Sequence, residues 1–444
     1  MCGPNPGRST DRLSADGEAK GTGMQSQLGW TQISRTAVQR AESQLATGAQ
    51  GVVDELGLLR IHQHYADRFF PGTSVLHTRL RYVLFVAWIF DDLWISGRNI
   101  SDPEEEIARR ELQVAKALKK NDSESSVEGW GLIGRNTLPR MPSQRPSMTY
   151  WSALGRWGIL HRHRDGSVPT RSEVVARLKG ASSAPALHDA EGRWLAGGES
   201  PFVSLPPRPP GWDSGGKLGF RLEEKEREFL RDVLEHVFEP ESARRSLFGR
   251  LAQSRAGADL AKGDGLYCDR VRNELLDEQE KEVLQQARYA AALAAVVRAV
   301  YLALVEETAV HTDGLGKRDV CRKNLQMVVG ECLGDAQQLE LKSLRTDLRP
   351  LDRGTQGVLD VMKRTRDWLR ETGTAGLDLK GLFEPYRKQE VALKGGRARL
   401  GALGRERRKE WWLDKARSNE SRPGSLHYRW WVATNLLRDL EDTA

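Results

Sequence analysis

The sequence predicts a mainly α-helical protein of two packed helical units, the first carrying a winged-helix-like module and a small β-hairpin. Three observations support this. Arg79–Trp94 and Gln285–Glu307 are long apolar stretches of the kind enclosed by other helices. Amphipathic periods recur through the second half, and 444 residues exceed what one hydrophobic core usually organises.

Residues 1–27 are rich in Gly, Ser and Asp and hold no apolar core of a secretion signal, so a disordered tail is expected there. Ordered structure is expected from Leu28-Gly29-Trp30, with a weak helical period over Ile33–Leu45. Arg79–Trp94 forms the central helix of the first unit, 28–200. Asp102-Pro103-Glu104-Glu105 joins an N-cap acceptor, a proline at the first helical position and early acidic residues, so a helix starts there and runs to about Lys120.

The module at 129–180 follows. A loop with Pro139, Pro142 and Pro146 leads to a helix over Ser147–Leu160, with Tyr150, Trp151, Leu154, Trp157 and Leu160 at helical spacing. Asp165-Gly166 then reads as the tip of a hairpin. Pro-rich and Gly-rich composition over 180–221 places the boundary near residue 200, and the second unit spans 201–444. Leu222–Phe238, Gln285–Glu307, Val358–Leu369 and Tyr428–Leu440 are its expected helices.

Hydrophobic residues make up 39% and charged residues 29%, the balance of a folded globular chain. Cys2, Cys268, Cys321 and Cys332 include no close pair, which argues against a structural zinc site or a disulfide framework and for a cytoplasmic setting. Tyr82–Phe90 is too short to span a bilayer, and Tyr289–Val305 carries Arg298 at its centre, so no membrane contact is expected.

The net charge of +7 is unevenly spread. Gly129–Gly180 holds Arg135, Arg140, Arg145, Arg156, Arg162, Arg164, Arg171, Arg177 and Lys179 against only Asp165 and Glu173. A helix followed by a basic wing suits duplex DNA, with arginine forks on phosphates, and the first seven of these residues are the candidate contacts. A solvated basic face and an acidic protein partner are the competing readings. Lys394–Arg429 is a second basic segment, where Trp411 and Trp412 offer stacking surfaces or pack inward beneath a solvated helix.

Catalytic signatures are missing: no GxxxxGK[ST] phosphate loop, GxGxxG after a strand, GxSxG elbow or HExxH helix occurs, and no cofactor is expected. His62 and His64 would share a metal only on an extended segment, and point apart on the helix expected there. Asp91-Asp92 lacks a third acidic ligand for Mg²⁺, so solvation at a helix end is the simpler account. Glu223-Glu224-Lys225 imitates the end of a nuclease motif but also begins an amphipathic helix, where acidic residues belong.

Several stretches carry a resemblance: LGWTQIS, the run from VVDELG through FFPGTS to AWIF, GLIGRN, SMTYWSALGRWGIL, and HYRWWVATNLLRDL near the C-terminus. Together they resemble an uncharacterised bacterial family described as a domain of unknown function, over roughly 28–444. Phe70, Pro71, Gly72, Thr73 and Arg79 mark its most specific motif. The resemblance implies an accessory component encoded among DNA-processing or phage-defence genes, acting with helicase, methyltransferase or nuclease subunits, and it transfers no catalytic residue. A non-enzymatic DNA-binding or adaptor subunit is therefore the leading expectation. A divergent metal-dependent nuclease and a purely structural scaffold are the alternatives.

Overall fold

The computed structural model describes residues 54–96, 100–120, 131–140, 142–180, 187–188, 194–196, 200–240, 242–260, 265–348, 351–373, 377–413 and 423–442. The expected tail at 1–27 and the helical period at Ile33–Leu45 lie outside them. What is described is mainly helical.

The first helix, α1 (Leu59–Phe69), begins where the Asp54 carboxylate accepts the backbone N–H groups of Gly57, Leu58 and Leu59 at 2.8–2.9 Å, satisfying donors that a helix start leaves open. Helix α2 (Tyr82–Ile95) has apolar residues all round and is buried from Tyr82 through Asp91, as its composition predicts. It packs against α3 (Pro103–Lys120) and α4 (Pro146–Arg156). Helix α3 has the bounds read from its start signal, with Asp102 accepting from the Glu105 N–H at 3.1 Å. Helix α5 (Arg171–Gly180) lies against α3. A short antiparallel pair follows, β1 (Leu187–His188) with β2 (Trp194–Ala196), with Leu187 opposite Ala196.

Helix α6 (Glu224–Glu235) opens on a capping box between Glu223 and Glu226 and packs against α7 (Leu247–Ser254). The backbone of the second half is α8 (Glu278–His311), 34 residues long and started by an Asp277–Glu280 capping box. It is long and apolar enough to cross a membrane, yet 83% of its most apolar window is buried within the protein. Arg298, the charge at its centre, reaches the surface. Helix α9 (Val320–Ala336) runs against α8. Helices α10 (Arg353–Thr372) and α11 (Lys380–Lys394) pair with each other, and α10 also meets α8. Helix α12 (Arg405–Leu413) covers α8, and α13 (Trp430–Glu441) returns to α6 and α7.

Buried apolar side chains from Leu56 to Leu440 form one continuous cluster. Polar links cross residue 200 as well. Arg81, at the entrance of α2, donates to buried Glu226 at 2.6 Å, and the Asp439 carboxylate accepts from Arg79 Nε at 3.0 Å and from the Leu80 N–H at 2.8 Å.

Candidate nucleic-acid interface

Tyr150, Ala153 and Leu154 turn α4 inward, while the half-buried Trp151 packs against Phe90 and donates its Nε1–H to the Pro169 carbonyl at 3.0 Å. The helix stops at Arg156, four residues before the apolar pattern suggests. Gly158 takes φ +74°, and the N–H of Ile159 reaches back to the Leu154 carbonyl at 3.0 Å, the closure of a glycine-terminated helix. Trp157, Ile159 and Leu160 remain buried after the chain has left the helix, which is why periodicity overran its end.

Beyond Leu160 the chain alternates between core and solvent. His163 is buried, while His161, Arg162 and Arg164 are exposed. The Asp165-Gly166 turn is closed by Gly166 N–H to the His163 carbonyl and His163 N–H to the Ser167 carbonyl, each at 2.9 Å. Asp165 steadies it by accepting from Ser167 N and Oγ. No strand flanks this turn, so the hairpin expected here is corrected to a turn between irregular segments: after Leu160 bridges Phe202, His161 bonds to Pro201 and pairing ends.

Arg156, Arg162 and Arg164 are thus presented to solvent within nine residues of chain. Arg162 donates to the Gly166 carbonyl at 2.9 Å, and neither Arg156 nor Arg164 forms an ion pair among the described residues. Trp157 and Leu154 fill the core behind them.

The other candidates divide. Arg171 grips Glu104 with two bonds of 2.5 and 2.8 Å, and Arg145 holds the same carboxylate at 3.0 Å. The hydrogen bond from Arg171 is the main reason the Glu104 carboxyl is held below its ordinary range. Both cations are therefore engaged by Glu104 in the first turn of α3, and Arg145 also lies 3.7 Å from Glu111. Arg135 is half-buried, and Arg140 is exposed in the loop before α4.

Asp91 and Asp92 are not solvated at a helix end. Arg208 donates to both at 2.6–3.0 Å, Ser200 Oγ to Asp91 at 2.7 Å, and Trp212 Nε1 to Asp92 at 2.7 Å. Their charge is answered by the 200–212 loop. Of the nuclease-like Glu223-Glu224-Lys225, Glu223 is committed to the α6 capping box and lies 3.8 Å from Arg81, and Glu224 pairs with Arg227 at 2.7 Å. Among the described residues no group of three or more His, Cys, Asp or Glu side chains could hold a metal ion. Several described cations of the second basic segment are also engaged. Buried Arg408 pairs with Asp313, Arg399 with Glu55 and Arg429 with Asp67, while Arg318 lies over both Trp411 and Trp412 at 5.6 and 5.1 Å. Trp411 is buried.

His62 and His64 face different neighbours, as a helix requires. His62 meets His427 and Tyr428, whereas His64 lies edge-on to Tyr65. Burial pushes the His62 imidazole down to about 3 and that of His427 to about 4. His427 lines a cleft of about 220 Å³ that sequence reasoning missed, because its walls come from three places far apart in the chain: 265–267, α8 with α9, and 425–431.

The Phe70-Pro71-Gly72-Thr73 turn stands between this cleft and the arginine turn. The Pro71 carbonyl accepts from Trp157 Nε1 at 2.8 Å, and the Thr73 carbonyl from Arg429 Nη1 at 2.8 Å. Gly72 takes φ +78°, and a Cβ there would lie 2.6 Å from Trp157 Nε1 and 2.9 Å from Arg156 Cβ. Only glycine fits.

No curated protein and no solved structure matches the chain. A family model does match, over residues 25–305, which holds the FFPGTS turn, the apolar α2, the arginine turn and most of α8 but stops short of HYRWWVATNLLRDL. The chain belongs to the family of unknown function DUF6361.

Proposed function

We propose that this protein is a non-enzymatic, cytoplasmic DNA-binding or adaptor component of a bacterial DNA-processing or phage-defence system. Arg156, Arg162 and Arg164, with Arg140 alongside, contact the phosphates of duplex DNA, and α4 followed by the basic turn stands in for the helix and wing of a winged helix. Helicase, methyltransferase or nuclease subunits are the partners this role calls for. The observation that carries the reading is a contrast within one basic segment: Arg145 and Arg171 are paired with Glu104, and Arg145 also with Glu111, whereas Arg156 and Arg164 face solvent with no carboxylate partner among the described residues. Exposed arginine forks without internal partners suit phosphate oxygens.

The test is a titration of the full chain with duplex and single-stranded DNA at two salt concentrations, with and without Mg²⁺. Duplex binding should weaken with salt and leave the DNA uncut. The variant R156A/R162A/R164A should fold normally, bind less tightly and lose roughly one unit of log–log salt slope per phosphate contact removed. Unchanged binding in that variant excludes this surface, and Mg²⁺-dependent cutting favours the nuclease alternative.

A further inference from the structure

We propose that one edge of α12 is a platform for single-stranded nucleic acid, with a base stacking on Trp412 and phosphates meeting Arg405, Lys409 and Lys317. Helical position separates the two adjacent tryptophans. Arg408 and Trp411, three residues apart, point into the protein and are buried. Trp412, one residue on, is only half-buried and borders an outer stripe of Arg405, Lys409 and Leu413 at four-residue spacing. All three are exposed, Leu413 by 66%.

Trp412 is fixed in place, yet it keeps a donor open. Arg318 lies over its ring at 5.1 Å, the Trp411 ring meets it at 6.5 Å, and a Cβ on Gly316 would lie 3.8 Å from its Cζ2. Arg318 is itself 3.6 Å from the buried Glu306 carboxylate, so the seat of the indole exists before a ligand arrives. The indole N–H makes no hydrogen bond among the described residues. Those of Trp88, Trp151, Trp157 and Trp212 all donate within the protein. An oxygen or ring nitrogen of a nucleotide is an acceptor that fits the open one.

Charge points the same way. Arg405, Lys409 and Lys317 are exposed and form no ion pair among the described residues. Of the nearby acids, Glu410 pairs with Arg407 at 2.9 Å, Asp313 with Arg408 at 2.9 Å, and Glu306 faces Arg318. Glu406 is the acid left over, so three free cations stand against one carboxylate. Cations beside an aromatic face suit a strand whose bases can turn out, whereas the bases of a duplex are already stacked on one another. A membrane anchor would need aromatic bodies that project, and Trp412 is half-buried. The inference stands independently of the arginine turn.

Fluorescence-anisotropy titration of the full chain with a labelled oligothymidine and a labelled oligouridine, each of about twelve nucleotides, tests it. Binding of either supports the platform, and the tighter of the two tells DNA from RNA. Trp412→Ala should weaken binding at least about fivefold, and Trp412→Phe, which keeps a stacking face, should weaken it less. R405A/K409A changes exposed positions only, so it reports should Trp412→Ala fail to fold. It should melt like the parent, bind more weakly and lower the log–log salt slope by roughly 0.7 for each phosphate contact removed. R156A/R162A/R164A should bind both oligonucleotides like the parent, whatever it does to duplex DNA. The proposal is overturned if neither oligonucleotide binds, if R405A/K409A or a folded Trp412→Ala binds like the parent, or if R156A/R162A/R164A loses single strands. Capture by anionic phospholipid vesicles in place of the oligonucleotides would assign the stripe to a membrane and overturn it equally.

Discussion

Glu104 decides which arginines of the basic segment are available to a ligand. It draws on Arg145 and Arg171, 41 and 67 residues away in the chain, and no local pattern announces such a partnership. Positive charge at Arg156, Arg162 and Arg164 is legible in the sequence, but the neutralisation of their neighbours depends on how α3, α4 and α5 pack. Glu104→Gln should destabilise the protein by about 1 kcal/mol, seen as a lower urea midpoint, because two part-buried guanidinium groups lose their counter-charge. Histidines give a second prediction. His62, His77 and His427 are held at about 3, about 4 and about 4 by burial, against an ordinary 6.5. Below pH 6.5 the unfolded chain therefore takes up protons that the folded chain refuses. Stability falls with acid by up to about 1.4 kcal/mol per pH unit for each such histidine, until its folded-state value is reached. His77→Gln should flatten the decline of the urea midpoint between pH 6.5 and 4.5. Equal slopes in parent and variant would show that His77 does not contribute.

Helices are the scale at which the sequence is most informative. The bounds of α3 follow from Asp102-Pro103, and the burial of α8 from its alanine-rich run, because capping and apolar area act over one or two turns. Ends set by tertiary contact are less legible. Helix α4 stops at Arg156 because Gly158 turns the chain and Trp157, though it fits the periodic pattern, is held against Pro71 by a contact that no local pattern shows. The cleft is illegible for a related reason: Tyr267, Glu331 and His427 share no motif and meet only through folding. Gly72→Ala, at a left-handed position pressed against Trp157, should cost at least about 2 kcal/mol by chemical denaturation. On α8 the close-packed face can be tested at Ala291, fully buried, where leucine should cost about 1–3 kcal/mol through overpacking.

For the whole molecule, the continuous apolar cluster joins residues on both sides of the boundary expected near residue 200. Composition marks that segment as Pro-rich and Gly-rich, but it says nothing of Arg81 meeting Glu226 or of Trp88 donating to the Pro206 carbonyl. A fragment ending at residue 305, the limit of the family match, should lack fixed tertiary structure. It loses α9, which lies along α8, and α13, whose Asp439 anchors Arg79. Near-ultraviolet circular dichroism would reveal the loss, and a native-like spectrum from the fragment would contradict it. The Arg79–Asp439 pair, which closes 360 residues of chain, also bears on synthesis. At roughly 5–20 residues per second, Arg79 emerges from a ribosome roughly 20–70 s before its partner exists. The apolar α2 beside it must wait through that interval with its core incomplete, so nascent chains of this protein should be clients of ribosome-associated chaperones until the last helix is made.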